Sequence, residues 1–380
     1  MIVGISGYVG NRITGIGRVL VNVLHELALL YPEDQYVLFR NYDFEGYNQL
    51  LIHKNIHIVD IKVSKESSIR NILWHQYSFQ SLLKKYNCDL AYIPNFSLLL
   101  WKSLPTIVSI QDLIEFNVSK KFSKLRMFYR IKIADPLLAR NSDYILTVSE
   151  SSKKDIIKYL DIKESKISVI PNAVDNKMFK KYSENQILDV LTKYDLGIKD
   201  YFLFVGTIDY PGKNIKSVLD AFFALKKEYN ISEKLVIIGK RGFNSNVIYD
   251  CVNQSRYKED VIFTGYLTDE DLPFFYAGAK IMLYLSLFEG FGLPVLEAMS
   301  CGIPIICSNT SCFPEIVRGI DVCVDPTDID QIKTKLLKFI SDGELREQIA
   351  KECYEKSKEY SWIKSAKLYY KAFNQLVTSK

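Results

Sequence analysis

The stretch Ser286-Leu287-Phe288-Glu289-Gly290-Phe291-Gly292-Leu293-Pro294-Val295-Leu296-Glu297-Ala298-Met299-Ser300-Cys301-Gly302 reads as a strand end, a loop and a helix. The apolar run 281–285 before it supplies the strand, and Gly290 and Gly292 supply a turn in which backbone can approach a ligand closely. Pro294 suits the first helical turn and Gly302 a helix C′ position. The N–H groups near Gly292, Leu293 and Val295 then form an anion site at the positive end of the helix dipole, and a phosphate fits there. Glu289 stands before that site and Glu297 about one turn inside the helix. Each carboxylate can therefore face a neutral, hydroxyl-rich group beside the phosphate, such as a sugar or a ribose.

Outward from this stretch, strand-length apolar runs alternate with helical patterns, which predicts parallel sheets joined by crossover helices, an α/β fold. The first series of strands is expected at 1–6, 36–40, 56–61, 90–93, 106–110, 144–148 and 167–170. After the turn-rich Pro171-Asn172-Ala173-Val174-Asp175, a second series is expected at 201–205, 234–238, 261–264, 281–285, 303–307 and 322–324. We therefore divide the chain into a first domain, 1–175, a linker region, 172–198, and a second domain, 199–360. Ligands bind outside the carboxyl ends of strands in open α/β sheets, so two such domains facing each other would form a cleft lined by post-strand loops.

The composition narrows the function. With 380 residues, 48% of them hydrophobic, the chain is long enough for two cores. A net charge of +5 is too small to argue nucleic-acid binding and suits anionic ligands or an anionic membrane surface. Seven cysteines without a C-x-x-C pair suggest neither a zinc site nor a disulfide framework, and a reduced cytosol is the expected setting. Neither a charged signal-like leader nor a run of about 18 apolar residues is present, so a cytoplasmic protein is expected.

The 286–302 string, completed by Gly302-Ile303-Pro304-Ile305-Ile306, resembles the Glu-x7-Glu signature of the retaining, family-4 type (group 1) nucleotide-sugar glycosyltransferases. The likeness extends over nearly the whole chain and is nearest to mannosyltransferase-like sequences of bacterial surface-polysaccharide synthesis. It implies the GT-B architecture, two facing doubly wound Rossmann-like domains, with the helical segment 361–380 crossing back to the first. The same segment also reads as an ordinary amphipathic helix on the nearest core. The implied reaction moves a sugar from a nucleoside diphosphate sugar to a hydroxyl of a glycan or lipid-linked acceptor, with Glu289 orienting the donor sugar and Glu297 the ribose. No further cofactor is implied.

Further candidates lie in the loops after the expected strands. Gly206-Thr207-Ile208-Asp209-Tyr210-Pro211-Gly212-Lys213-Asn214 leads into a helix near 214–215, and a lysine at its head can pair with a diphosphate. Relatives commonly carry Arg-Lys-Asn here; Gly212 stands in the arginine's place, so Lys213 clamps alone unless Lys240 or Arg241 reaches the same anion. Gly206, Thr207, Arg241, Tyr266, Gly290, Phe291, Gly292 and Leu293 complete the expected donor side. Thr14-Gly15-Ile16-Gly17-Arg18, before a helix expected at 19–30, resembles a family glycine turn, and Gly15 and Gly17 are expected near the phosphate or sugar. In Gln111-Asp112-Leu113, Gln111 replaces a histidine common in relatives. It can still hydrogen-bond a hydroxyl but cannot take a proton. Asp112 is either a catalytic acceptor-side carboxylate or a turn cap.

The segment Lys120 to Lys132 holds six cations, no acid and several large apolar groups. It reads either as a peripheral contact with an anionic membrane or as a solvated helix with its aromatics in the core. The acidic runs 269–271 and 328–330 each precede an expected helix, where acids cap, so no metal is assigned. Gly212 and Gln111 leave a rival in view, a non-catalytic nucleotide-sugar-binding partner subunit. A sugar-nucleotide epimerase of the same fold would lack the Glu-x7-Glu string.

Overall fold

The computed structural model describes residues 1–7, 15–40, 45–61, 68–119 and 121–378. It divides into two compact units. The first comprises Met1–Phe116, Lys124–Asn172 and Ser361–Lys380; the second comprises Asn117–Ser123 and Ala173–Tyr360.

The first unit is built on seven parallel strands: β1 (Ile2–Gly7), β2 (Gln35–Arg40), β3 (Ile56–Asp60), β4 (Leu90–Ile93), β5 (Thr106–Ser109), β6 (Tyr144–Thr147) and β7 (Ile167–Val169). Their order is β3-β2-β1-β4-β5-β6-β7. Apolar side chains fill both faces because helices cover both, as continuous apolar runs require. One cover is the helix Gly15–Leu30, which starts earlier than the expected 19–30: Gly15 and Gly17 form its first turn rather than a loop before it. Thr14 lies outside the described residues. The helix Trp362–Thr378 packs in this unit, where Tyr370 stacks on Tyr31 and Ser365 Oγ donates to the Pro171 carbonyl at 2.6 Å.

The second unit has six parallel strands: β8 (Tyr201–Val205), β9 (Lys234–Ile238), β10 (Val261–Gly265), β11 (Ile281–Tyr284), β12 (Ile305–Ser308) and β13 (Cys323–Val324). The order is β10-β9-β8-β11-β12-β13. β12 begins at Ile305 rather than 303 because Pro304 has no N–H to give the ladder. Residues 184–191, within the segment read as linker, form the helix Glu184–Leu191, and Tyr182 just before it packs on Phe274. Among the described residues no helix is long and apolar enough to cross a membrane.

Candidate active site

In the second unit the strand order reverses between β8 and β11, which are neighbours although β9 and β10 lie between them in sequence. The carboxyl ends of strands at such a reversal are where open α/β sheets bind ligands. Backbone bonds fix both loops. Ile208 N–H donates to the Lys240 carbonyl at 2.9 Å and Gly242 N–H to the Ile208 carbonyl at 2.8 Å, joining the loops after β8 and β9. Leu287 N–H donates to the Gly212 carbonyl at 3.0 Å, joining the loops after β8 and β11. From beyond β12, Thr310 Oγ1 donates to the Leu287 carbonyl at 3.2 Å, and Ser311 Oγ brackets Glu289, donating to its carbonyl and accepting from its N–H. The helix Ile215–Tyr229 starts beside them, its preceding Asn214 tied to the Pro326 carbonyl at 2.7 Å.

This scaffold brings Lys213 and Glu289 together as a direct ion pair, with side chains 18% and 17% exposed. Lys213 Nζ also donates to Tyr284 Oη at 2.9 Å. Glu289 Oε1 takes all the bonds to this carboxylate: from Lys213, from Ser286 Oγ at 2.8 Å and from Tyr284 Oη at 3.2 Å. Oε2 has no partner among the described residues. Burial opposes the charge on both groups, yet their mutual attraction wins: the Glu289 carboxyl is held below its usual range and the Lys213 ammonium above its own. An ammonium has three N–H donors, so one remains after Glu289 and Tyr284 are served. The cluster offers one cationic donor and one acceptor oxygen, both held in place.

The second carboxylate lies on the helix Leu293–Ser300, where Glu297 Oε2 accepts from the buried Tyr276 hydroxyl at 2.6 Å. Gly292 precedes this helix at φ +81°, and a Cβ there would meet the Phe313 ring at 2.8 Å, so only glycine makes the turn without strain. The expected anion site needs one correction. Val295 N–H bonds the Gly292 carbonyl at 3.0 Å, closing the turn, and Pro294 has no N–H; the first-turn backbone donors are those of Gly292 and Leu293.

The other sequence candidates are distributed as follows. Gly206 and Thr207 are partly exposed in the loop after β8, and Tyr266, after β10, is 63% exposed. The Arg241 guanidinium lies over the Tyr249 ring at 4.0 Å. Gly290 and Phe291 are buried, the latter edge-on to Tyr360. In the first unit Gly15 is exposed, Gly17 is buried, and Asp112 Oδ1 accepts from Ile114 N–H at 3.1 Å, a turn-capping bond. Asp328 caps its helix as expected, accepting from Gln331 N–H, whereas Asp271 makes no such cap and accepts from the Tyr194 hydroxyl at 3.0 Å.

The sequence did not point to Tyr284, Tyr276, Ser286, Ser311 or Asp209. A tyrosine closing a run of Ile, Met and Leu, as Tyr284 does, was a usable signal, because a buried phenol needs a partner for its hydroxyl. In the basic segment, Lys120 lies outside the described residues. Lys121, counted there among surface cations, is half-buried against Asp209 at 2.8 Å, and Arg130 is half-buried between Glu115 and Asp135. Lys124 and Lys132 are exposed, with Leu125 and Phe128 80% and 60% exposed beside them. The aromatics are thus only partly in the core.

Residues 195–356 match the glycosyl transferases group 1 family and residues 9–177 match glycosyltransferase family 4. The chain is 30% identical to O-antigen chain mannosyltransferase B of Escherichia coli over 92% of its own length and 93% of that protein's. It is 28% identical to O-antigen chain mannosyltransferase RfbU of Salmonella typhimurium over 70% of each. Among solved structures it is similar in fold to Anabaena HepE in complex with UDP-glucose, with a TM-score of 0.77, 15% identity and coverage of 99% of this chain and 100% of that one.

Proposed function

The chain belongs to the group 1, family 4 glycosyltransferases of GT-B fold, and from that premise we propose that it moves a mannose-type sugar from a nucleoside diphosphate sugar to an acceptor hydroxyl, with retention, in the synthesis of a bacterial surface polysaccharide or glycolipid. The observation that carries this is the Lys213–Glu289 cluster at the strand-order reversal, with one ammonium proton and one carboxylate oxygen uncommitted. The sugar and setting come from the relatives, both O-antigen chain mannosyltransferases.

In this reading the diphosphate leaves from the face on which the acceptor attacks and takes its proton there. Negative charge develops on the leaving oxygens, and donors fixed beforehand stabilise it at little reorganisation cost. Lys213 and the Gly292 and Leu293 N–H groups supply those donors. Glu289 Oε2 accepts from hydroxyls of the donor sugar, and Glu297 from those of the ribose. No metal is required when a cation and backbone dipoles hold the diphosphate, so transfer persists in chelator. The protein acts in the cytoplasm, and its exposed Lys124, Leu125, Phe128 and Lys132 touch an anionic membrane carrying a lipid-linked acceptor.

The test is a thermal-shift screen of the purified protein against nucleotide sugars, GDP-mannose and UDP-glucose among them, followed by hydrolysis and transfer assays. A ligand that binds the folded state raises the melting temperature by mass action. Binding with turnover supports the proposal. Binding without hydrolysis or transfer would make the chain a nucleotide-sugar-binding subunit instead.

A further inference from the structure

Lys121 enters the second unit from a short excursion, Asn117–Ser123, separate in sequence from the rest of that unit. Its Nζ lies 2.8 Å from Asp209 Oδ2, with side chains 12% and 9% exposed. The other oxygen of the same carboxylate, Oδ1, accepts from Lys213 N–H at 3.1 Å, so Asp209 ties the two lysines to one spot. Between them sits Gly212. A Cβ on Gly212 would stand 2.7 Å from Lys121 Nζ and 3.2 Å from its Cδ. A side chain at 212 would therefore push the Lys121 head aside, and the glycine there leaves room for the lysine that reaches over it. Lys121 is also close enough to Glu289 to help hold that carboxyl charged.

We propose that Lys121 is the second cation of the donor site, reaching over Gly212 to hold the nucleotide diphosphate together with Lys213. The proposal rests on the reading of the site as a nucleotide-sugar site. In the structure the two lysines are balanced by Asp209 and Glu289, one carboxylate each. A diphosphate at this spot takes the remaining N–H donors of both ammonium groups, and charge-assisted bonds of this kind are the strong ones.

The experiment measures calorimetric affinity for GDP and for UDP, with kcat/KM on the active donor, in Lys121→Met, Gly212→Arg, the double variant and Lys213→Met. Lys121→Met should weaken nucleotide binding and kcat/KM by about tenfold to a hundredfold, the worth of one hydrogen bond to a charged group. Gly212→Arg alone should also lose affinity, because its side chain collides with Lys121. The double variant, with the cation moved to position 212, should recover most of the loss, a rescue that a merely structural role for Lys121 cannot give. Since Lys121→Met leaves Asp209 without its cation, Lys121→Met with Asp209→Asn serves as the folding control and should remain weak in binding. Wild-type affinity in Lys121→Met or in that control, or a double variant no better than Lys121→Met, overturns the proposal. If Lys213→Met loses affinity while the Lys121 variants do not, only the role of Lys121 falls. If neither lysine matters, or neither nucleotide binds the wild type, the site reading falls as well.

Discussion

At Glu289 one carboxylate meets a lysine, a serine and a tyrosine at the edge of a loop; at Asp135 a carboxylate shares one arginine with a second acid in the interior of the first unit. Arg130 lies 2.9 Å from Glu115 and 3.8 Å from Asp135, with its guanidinium over the Phe96 ring at 4.2 Å. Glu115 and Asp135 are 2% and 1% exposed. The outcomes are opposite. Burial weighs on Glu289, but its own cation outweighs it and the acid stays charged. Burial also weighs on Asp135, a hydrogen bond with Glu115 and repulsion from it add to that, and the shared cation is not enough, so the carboxyl is pushed up to about 9. One cation per acid at a partly open position leaves an ionised oxygen to offer a ligand. One cation for two enclosed acids keeps a proton and turns the group inward, where it fixes the helical segment 124–141 to its domain.

The comparison breaks most visibly in turnover. Glu289→Ala and Lys213→Ala should each lower transfer on the order of 10²–10³, the loss typical for one preorganised stabilising group, while circular dichroism shows the fold intact. Asp135→Asn should leave kcat/KM within about twofold, since the amide copies the protonated acid and the proposed mechanism does not use that side chain. Near wild-type transfer in either of the first two, or a collapse of transfer in the third with the fold intact, would reverse the roles given to the two clusters.

A smaller effect is expected at Glu297, whose Oε2 accepts from the Tyr276 hydroxyl at 2.6 Å. Glu297→Gln should weaken nucleotide binding by about tenfold, the worth of one hydrogen bond to a charged group, with kcat at saturating donor nearly unchanged. A fall in kcat at unchanged donor affinity would place Glu297 with the reacting sugar instead of the ribose.

The two acids also differ in the sign of their pH dependence. For Asp135, between the ordinary carboxylate range and about pH 9 the folded chain holds a proton that the unfolded chain has released, so stability falls as pH rises through that window. For Glu289 the folded value is lowered: its contribution is complete above the ordinary carboxylate range and is lost as pH falls through the folded value. Asp135→Asn should therefore raise the melting temperature more at pH 8 than at pH 5, by about 2–4 °C for each kcal/mol gained. An equal shift at both pH values would mean that Asp135 is ionised when folded.

The strand series and the glycine-flanked loop were legible because they are local. Apolar runs mark buried parallel strands wherever they occur, and Pro294 and Gly302 punctuate a helix by their own backbone limits. Glu289 and Glu297 were legible as candidates, but their partners were not. Lys213 is 76 residues from Glu289, Tyr276 is 21 from Glu297, and Lys121 is 88 from Asp209. Which of them meet depends on strand order, and β8 beside β11 is a property of the sheet, not of either segment. The boundary errors have backbone causes: Pro304 shortens a strand, and Gly15 and Gly17 join a helix that their composition argued against.

The smallest effect concerns cations that no acid balances so closely. The helical segment that pairs Arg130 with Glu115 leaves Lys124 and Lys132 exposed beside Leu125 and Phe128, which sets a half-buried cation against exposed ones on one stretch of chain. Cations near an anionic surface are worth about 1 kcal/mol each, and exposed apolar side chains add burial in the headgroup region. Lys124→Ser with Lys132→Ser should weaken binding to phosphatidylglycerol vesicles about thirtyfold, and rising ionic strength should do the same by screening. Leu125→Ser with Phe128→Ser should weaken it without altering the salt dependence. Lys121 is excluded from this set because it is half-buried and paired with Asp209. Equal vesicle binding by the wild type and both pairs of variants, or none by any of them, would make this face an ordinary solvated surface and leave the acceptor to reach the first unit without help from a membrane.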